Sequence, residues 1–425
     1  MKIAIENARL IDPRHAVDAV LPLYIADGRI VGIETPPADF QADQTIDATD
    51  LIACPGLIDL SARLPNLKSE LHAAVAGGVT TLVCPPDRKP VLDDPENVER
   101  LVRNAADIGL ARVLPLGALT LDLQGERLSE LITLKKAGCV AFSQGPKPIL
   151  DTEALLRAFE YAATFGLSVW LQPRDYHLGK NGVAHDGEVA ARLGLPGIPV
   201  AAETVAIATA LALAAQTGVR LHLQHISTAA GMFLIEAAQG TGQKVTCDVG
   251  IHHLHLSEHD IGYFDSRARF DPPLRALQDR NVLRTAIKYG KAAICSDHTP
   301  VGNDDKLLPF PDALPGATGL ELLLPLTLKW AQETKTPLSA ALATITSFPS
   351  EILGKDFSDI GHLGVGARAD ICLFSPNEPW VPSPENLRST GKHSPLADYE
   401  LAGKVRHTFM AGKPVFLSLP KLTTQ

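Results

Sequence analysis

Up to about residue 55 the chain alternates apolar and polar positions over short runs: KIAIENARLID, LPLYIADGRIVGIE and TIDATDLIACPG. A period of two places alternate side chains on opposite faces, which predicts short strands. Asp27-Gly28 between two apolar runs predicts a hairpin turn. From about 56 to 355 the pattern becomes short apolar runs separated by helix-like stretches. Eight runs read as strands: GLIDLSA, VTTLVCP, RVLPLGAL, CVAFSQ, SVWLQP, RLHLQHI, KVTCDVG and AAICSDH. Segments such as ETVAIATALALAAQTG and AAGMFLIEAAQGTG supply helices between them. Beyond about 360, GHLGVGARADICLFSP and YELAGKVRHTFMAGKPVF return to strand and turn.

Eight βα units over roughly 300 residues predict an α/β fold of the TIM (β/α)8 barrel type. Strand-like segments at both ends predict a small β-sandwich assembled from residues 1–55 and 359–425, flanking a barrel of residues 56–358. In such a barrel the chemistry sits where strands end and loops begin. Attention therefore falls on Ser61, Arg63, Asp87, Gln144, Gln172, His225, the histidines at 252, 253 and 255, and Asp297. Ser61 and Arg63 stand two apart, so an extended backbone puts both on one face.

Composition narrows the function classes. A length of 425 residues with 45% hydrophobic and 20% charged positions suits a large buried core. The net charge of −9, without a basic cluster, argues against a nucleic-acid surface. Six dispersed cysteines without a C-x-x-C pair predict reduced core thiols and a cytoplasmic setting. The start MKIAIENARLID lacks the apolar block of a signal peptide, and no apolar run is long enough to cross a membrane.

Several blocks, in order, carry a resemblance: CPGLIDL, AVAGGVTTLVCPP, AGCVAFS, LQHIST, VTCDVGIHHL, DPPLR, CSDHTP, PGATGLE and LGVGARADICLFSP. Together they resemble the dihydroorotases of the amidohydrolase superfamily over nearly the whole chain. The resemblance implies a zinc site that activates water to open the dihydroorotate ring. It also implies the ligands: a His-x-His after strand one, a carboxylate or modified lysine after strand four, histidines after strands five and six, and an aspartate after strand eight.

Carried over position by position, most of that set is missing. Ser61 and Arg63 stand for the His-x-His, Gln144 or Gly145 for the carboxylate, and Gln172 for the strand-five histidine. Only His225 and Asp297 match. Two ligands are too few to hold catalytic zinc tightly, so zinc is expected to be absent. Substrate positions differ as well: Pro65 replaces an arginine, while Asp87 and Asp271 replace asparagines. The pattern resembles the non-catalytic dihydroorotase-like subunits of certain bacteria, which assemble with aspartate carbamoyltransferase catalytic chains. That implies a scaffold in pyrimidine biosynthesis, with homo-oligomers as the family's habit.

Two other readings use the same residues. One is a working cyclic amidohydrolase with a degenerate site of His225, Asp297 and the histidines at 252 to 255; the other is a binding module for a small anion. For single residues the bland expectations are a hydrogen-bonded His225, a structural or surface role for His252, His253 and His255, and a core-packed His298. Arg63 carries a sharper expectation, set against simply snorkelling outward over the short first loop: it or a neighbouring cation partly compensates Asp297 through a salt bridge where metal charge is missing.

Overall fold

The structure is a computed structural model that describes residues 1–397 and 399–418, so residues 419–425 of the expected flank lie outside it. Eight parallel strands form one sheet in chain order. They are strand one (Leu57–Asp59), two (Val79–Cys84), three (Arg112–Ala118), four (Ala141–Ser143), five (Ser168–Leu171), six (Arg220–Leu223), seven (Val245–Gly250) and eight (Ala293–Cys295). The ring closes just past the ends of strands one and eight. A parallel bridge joins Ala62 to His298, with Arg63 N–H donating to His298 O at 2.8 Å. The chain thus builds the expected TIM barrel.

Helix boundaries follow from local chemistry. Helix Pro95–Ile108 starts on Asp94, whose carboxylate accepts the Glu96 N–H at 2.8 Å, with Pro95 in the first turn where no N–H is needed. It ends at Gly109, whose φ of +68° is left-handed. Helix Leu67–Ala76 begins almost directly after strand one, capped by Asn66, which leaves a short first loop at the mouth.

The flank holds two further sheets. One orders Arg29–Ile33, Leu23–Ala26, Lys2–Glu6 and Gln44–Asp47; the other orders Lys413–Leu417, Leu401–Met410, Ile371–Trp380, Ile52–Pro55, Arg9–Asp12 and Val17–Val20. The hairpin at Asp27-Gly28 forms with both residues at positive φ. KIAIENARLID is two strands rather than one, broken at Asn7, whose φ is +63°. Ile3, Ile5, Leu23, Ile25, Leu10, Ile371, Leu373 and Phe409 share the core between the sheets. On the alternate positions Cys54, Cys372 and Phe374 join the barrel's core. One sheet therefore serves both cores through its period of two. All six cysteines are buried and unpaired. Among the described residues no helix is long and apolar enough to cross a membrane.

Candidate functional site at the barrel mouth

Strand one ends on Asp59, and the chain then turns so that Ala62 makes the closing bridge. That turn buries Ser61 against strand eight and sends Arg63 into the mouth. Ser61 accepts the His298 N–H through its carbonyl at 3.2 Å. Arg63 donates from Nε to Asp87 Oδ2 at 3.0 Å and from Nη1 to Thr299 Oγ1 at 2.9 Å. Burial works against the charged guanidinium, but Asp87 and Asp297 outweigh it and hold the pKa above the ordinary arginine value.

This corrects the expected Arg63–Asp297 bridge. The guanidinium pairs with Asp87, and Asp297 acts on it through space only. The physical reason is reach: two bonds fix the fork on the loop after strand two and on Thr299 beyond strand eight. Asp87 is accordingly no free carboxylate; one oxygen is paired and its Oδ1 is buried without a partner.

Below the cation, His225 and Asp297 face one another. Both have left-handed backbones, at φ +55° and +48°, so each side chain turns off its strand's direction. His225 Nε2 lies 3.6 Å from Asp297 Oδ1, longer than a hydrogen bond. The imidazole is 4% exposed, and neither ring nitrogen has a partner. The expectation of a hydrogen-bonded His225 is therefore corrected. The other buried carboxylate beside it, Asp248, is already taken: its oxygens receive His222 Nε2 at 2.9 Å, the His225 N–H at 2.8 Å and Cys295 Sγ at 3.3 Å. Burial raises its pKa, but His222 and His225 outweigh that and leave Asp248 below the ordinary carboxylate value.

The remaining positions spread around the same opening. Gln144 is buried, accepts from Thr120 at 3.0 Å and leaves its amide nitrogen unpartnered. Gln172 donates to Asp271 O at 3.4 Å. Asp271 pairs with Arg174 at 2.8 Å, and Pro65 is exposed at the rim. Arg63, Asp87, Gln172, Asp271, Asp297 and Thr299 line a cavity of about 160 Å³. The structure thus gathers Arg63, Asp87, Gln172, Asp271 and Asp297 around one cavity; Ser61, Gln144, His225 and Pro65 do not line it.

The neighbouring histidines brace the scaffold. His252 and His253 are buried, and His255 is mostly so. His253 Nε2 donates to Pro272 O at 3.1 Å and His255 Nε2 to Leu326 O at 2.9 Å. Burial pushes His252 down to about 3 and His255 to about 4, so both are neutral near pH 7. His298 lies in the core, its Nε2 on Glu70 at 2.9 Å and its Nδ1 receiving the Gly319 N–H at 3.0 Å.

Sequence reasoning missed Asp59, Arg174 and Thr299. Asp59 accepts the Ser296 N–H at 2.8 Å and the Ser296 hydroxyl at 2.5 Å, tying strand one to strand eight; burial lifts its pKa to about 6. Arg174 and Thr299 lie within QPRD and DHTP, each two residues beyond a flagged position, and the alternation of an extended chain was the available signal.

A two-zinc centre does not fit these residues. A hydroxyl, a guanidinium and two carboxamides stand at four ligand positions, and the guanidinium brings its own positive charge. Fewer donors remain for one ion: His225 with its two unpartnered nitrogens, Asp297, and a cluster of His225, Asp248 and Cys295 whose ligand atoms lie within 4.8 Å of one another.

Comparison with known proteins agrees with this frame. The family model described as "Dihydro-orotase-like" matches residues 51–230, and "Amidohydrolase family" matches residues 149–416. A "Dihydroorotase-like protein" of Pseudomonas putida is 43% identical, covering 97% of this chain and 98% of its own. A "Dihydroorotase" of Syntrophotalea carbinolica is 37% identical, covering 97% and 98%. Among solved structures, the L-hydantoinase (dihydropyrimidinase) of Arthrobacter aurescens superposes with a TM-score of 0.87 at 23% identity, covering 99% and 97%. At that identity the likeness speaks for the fold alone.

Proposed function

The chain belongs to the dihydroorotase-like family of amidohydrolases, and from that premise we propose that it is a catalytically silent member. In this reading it works in the cytoplasm as a scaffold for aspartate carbamoyltransferase catalytic chains in pyrimidine biosynthesis, itself in a homo-oligomer, without catalytic zinc. The observation that carries the reading is the Arg63 clasp. A guanidinium held by Asp87 and Thr299 fills the side of the mouth where the family's paired imidazoles would converge on metal. A barrel can lose its site and keep its outer surface for assembly. Zinc analysis and a dihydroorotate hydrolysis assay on the purified chain test the silence: stoichiometric zinc with turnover overturns it. Co-purification with aspartate carbamoyltransferase chains at fixed stoichiometry tests the scaffold.

A second reading has one observation in its favour. The unpartnered nitrogens of buried His225 beside Asp297 suit a cyclic amide hydrolase with a degenerate site, and relatives such as the Syntrophotalea protein bear the name "Dihydroorotase". The same assay decides between the two.

A further inference from the structure

Outside the barrel mouth, a carboxylate and two imidazoles meet on the flanking sandwich. Asp12 ends the strand Arg9–Asp12, His15 stands in the turn after it, and His362 lies in the segment that returns from the barrel to the flank. Ligand atoms of the three residues lie within 4.8 Å of one another.

Their partners fix both tautomers. Asp12 Oδ2 also accepts the Leu363 N–H at 2.8 Å, and Oδ1 accepts the Arg14 N–H at 3.0 Å. The carboxylate therefore acts as an acceptor, and His15 Nδ1, at 2.8 Å from Oδ2, carries the proton. His15 Nε2 keeps its lone pair. A backbone carbonyl can only accept, so His362 Nε2 donates to Ser358 O at 2.9 Å and Nδ1 keeps its lone pair. His15 Nε2 and His362 Nδ1, the latter already accepting the Gly364 N–H, border the same point. Each lies 3.1 Å from the point a Cβ on residue 364 would occupy, and residue 364 is glycine. The ring centroids stand 5.0 Å apart at 61°. One competitor is present, the Gly364 N–H, 3.1 Å from His362 Nδ1.

We propose that Asp12, His15 and His362 form a weak, exchangeable site for a divalent transition-metal ion such as Ni²⁺ or Zn²⁺. His15 Nε2 and His362 Nδ1 are the protein ligands, Asp12 orients His15 from behind, and water completes the shell. A carboxylate behind a ligating histidine is the usual second layer of such sites. Imidazole pairs suit this class of ion. Burial, aided by Arg14, lowers the His362 pKa and keeps its ring neutral. The His15 side chain is 46% exposed, which gives an ion a way in. The ion would join the turn after residue 12 to the segment around residue 362, a link made only in the folded chain.

The test uses the full chain carrying His225→Ala, so that the barrel mouth does not contribute. Ni²⁺ is titrated into metal-stripped protein by calorimetry, and melting temperature is followed. One ion per chain and a raised melting temperature are expected. Adding His15→Ala or His362→Ala should weaken binding by about tenfold or more. In the unmutated chain, paramagnetic Ni²⁺ should also broaden the His15 and His362 imidazole signals, a readout that needs no variant at these two positions. No bound ion in the His225→Ala chain, affinity undiminished by both substitutions, or broadening confined to other histidines overturns the proposal.

Discussion

Arg63 and Asp87, brought from the ends of barrel strands one and two, clasp at 3.0 Å inside the mouth. The pair is mostly shielded, with side-chain exposures of 25% and 19%, and Asp87 already carries one unpartnered oxygen. Removing the cation therefore leaves a carboxylate with few partners. Arg63→Ala is expected to cost about 1–3 kcal/mol, read from urea denaturation. Arg63→Ala with Asp87→Ala should cost less than the single change. A double variant no more stable than the single one would show that the clasp matters through packing and not through charge.

Restoring the imidazoles tests whether the residues at positions 61 and 63 limit metal affinity at the mouth. Ser61→His with Arg63→His removes a positive charge and adds two donors beside His225 and Asp297. Zinc affinity at the mouth, measured by competition with a chromophoric chelator in a His15→Ala background, should rise on the order of tenfold. An unchanged affinity would mean that the backbone around the closing bridge aims position 63 away from His225.

His225 offers a test of opposite sign. Its two nitrogens are buried and unpartnered, so the ring carries a desolvation cost with no hydrogen bond to offset it. In metal-free protein His225→Leu should change stability by less than about 1 kcal/mol or raise it. Histidine tolerates the left-handed φ of +55° better than leucine, so the backbone adds a small cost to the variant. Any gain in stability is then a lower bound on the relief of the buried ring. A loss of several kcal/mol in chemical denaturation would show that the wild-type ring is held by a protein partner, Asp297 first.

His298 and Glu70 form a fully buried pair that joins the end of strand eight to the first barrel helix. Glu70 also receives Thr390 N–H at 3.0 Å. Replacing His298 with Ala strips one partner and leaves the carboxylate buried. The expected loss is about 3–5 kcal/mol, seen as a lower denaturation midpoint. A loss under about 1 kcal/mol would mean that the hydrogen bonds from the 390 segment suffice to hold Glu70.

Glu321 gives the fold a pH dependence. Burial drives its pKa up to about 7 against the hydrogen bonds from Arg388 and Ser389 N–H. The unfolded chain loses that proton near pH ~4.3. Between these values the folded chain holds more protons, so this group's contribution to stability falls as pH rises from about 4.3 to about 7, then levels off. His252 and His255, held below the usual imidazole value, push stability the other way as pH climbs toward 6.5. The test is therefore the difference: denaturation midpoints across that range should rise more steeply, or fall less, in Glu321→Gln than in the wild type. Equal slopes in both proteins would assign the dependence to another group, Asp59 first, whose raised value of about 6 acts in the same direction.

The hydrophobic pattern alone determined the architecture, because periods of two and of about 3.6 are local properties of the chain. The eight strand runs, the Asp27-Gly28 hairpin and the return of strand pattern after 360 were legible for that reason. The residue types at strand ends were equally legible, while the resemblance to the dihydroorotases is what marks Ser61, Arg63, Gln144 and Gln172 as standing where histidines or a carboxylate would hold zinc. What the pattern could not decide was who pairs with whom. Arg63 reaches Asp87 rather than Asp297 because a long side chain chooses among acids by the distances that ring closure at Ala62 and His298 sets. His225 stays unpartnered because Asp248, the acid nearest its backbone, is already spent on His222, Cys295 and the His225 N–H. The meeting of His15 with His362, nearly the whole chain apart, was likewise hidden in the sequence. Such contacts depend on three-dimensional closure, and no local period encodes them.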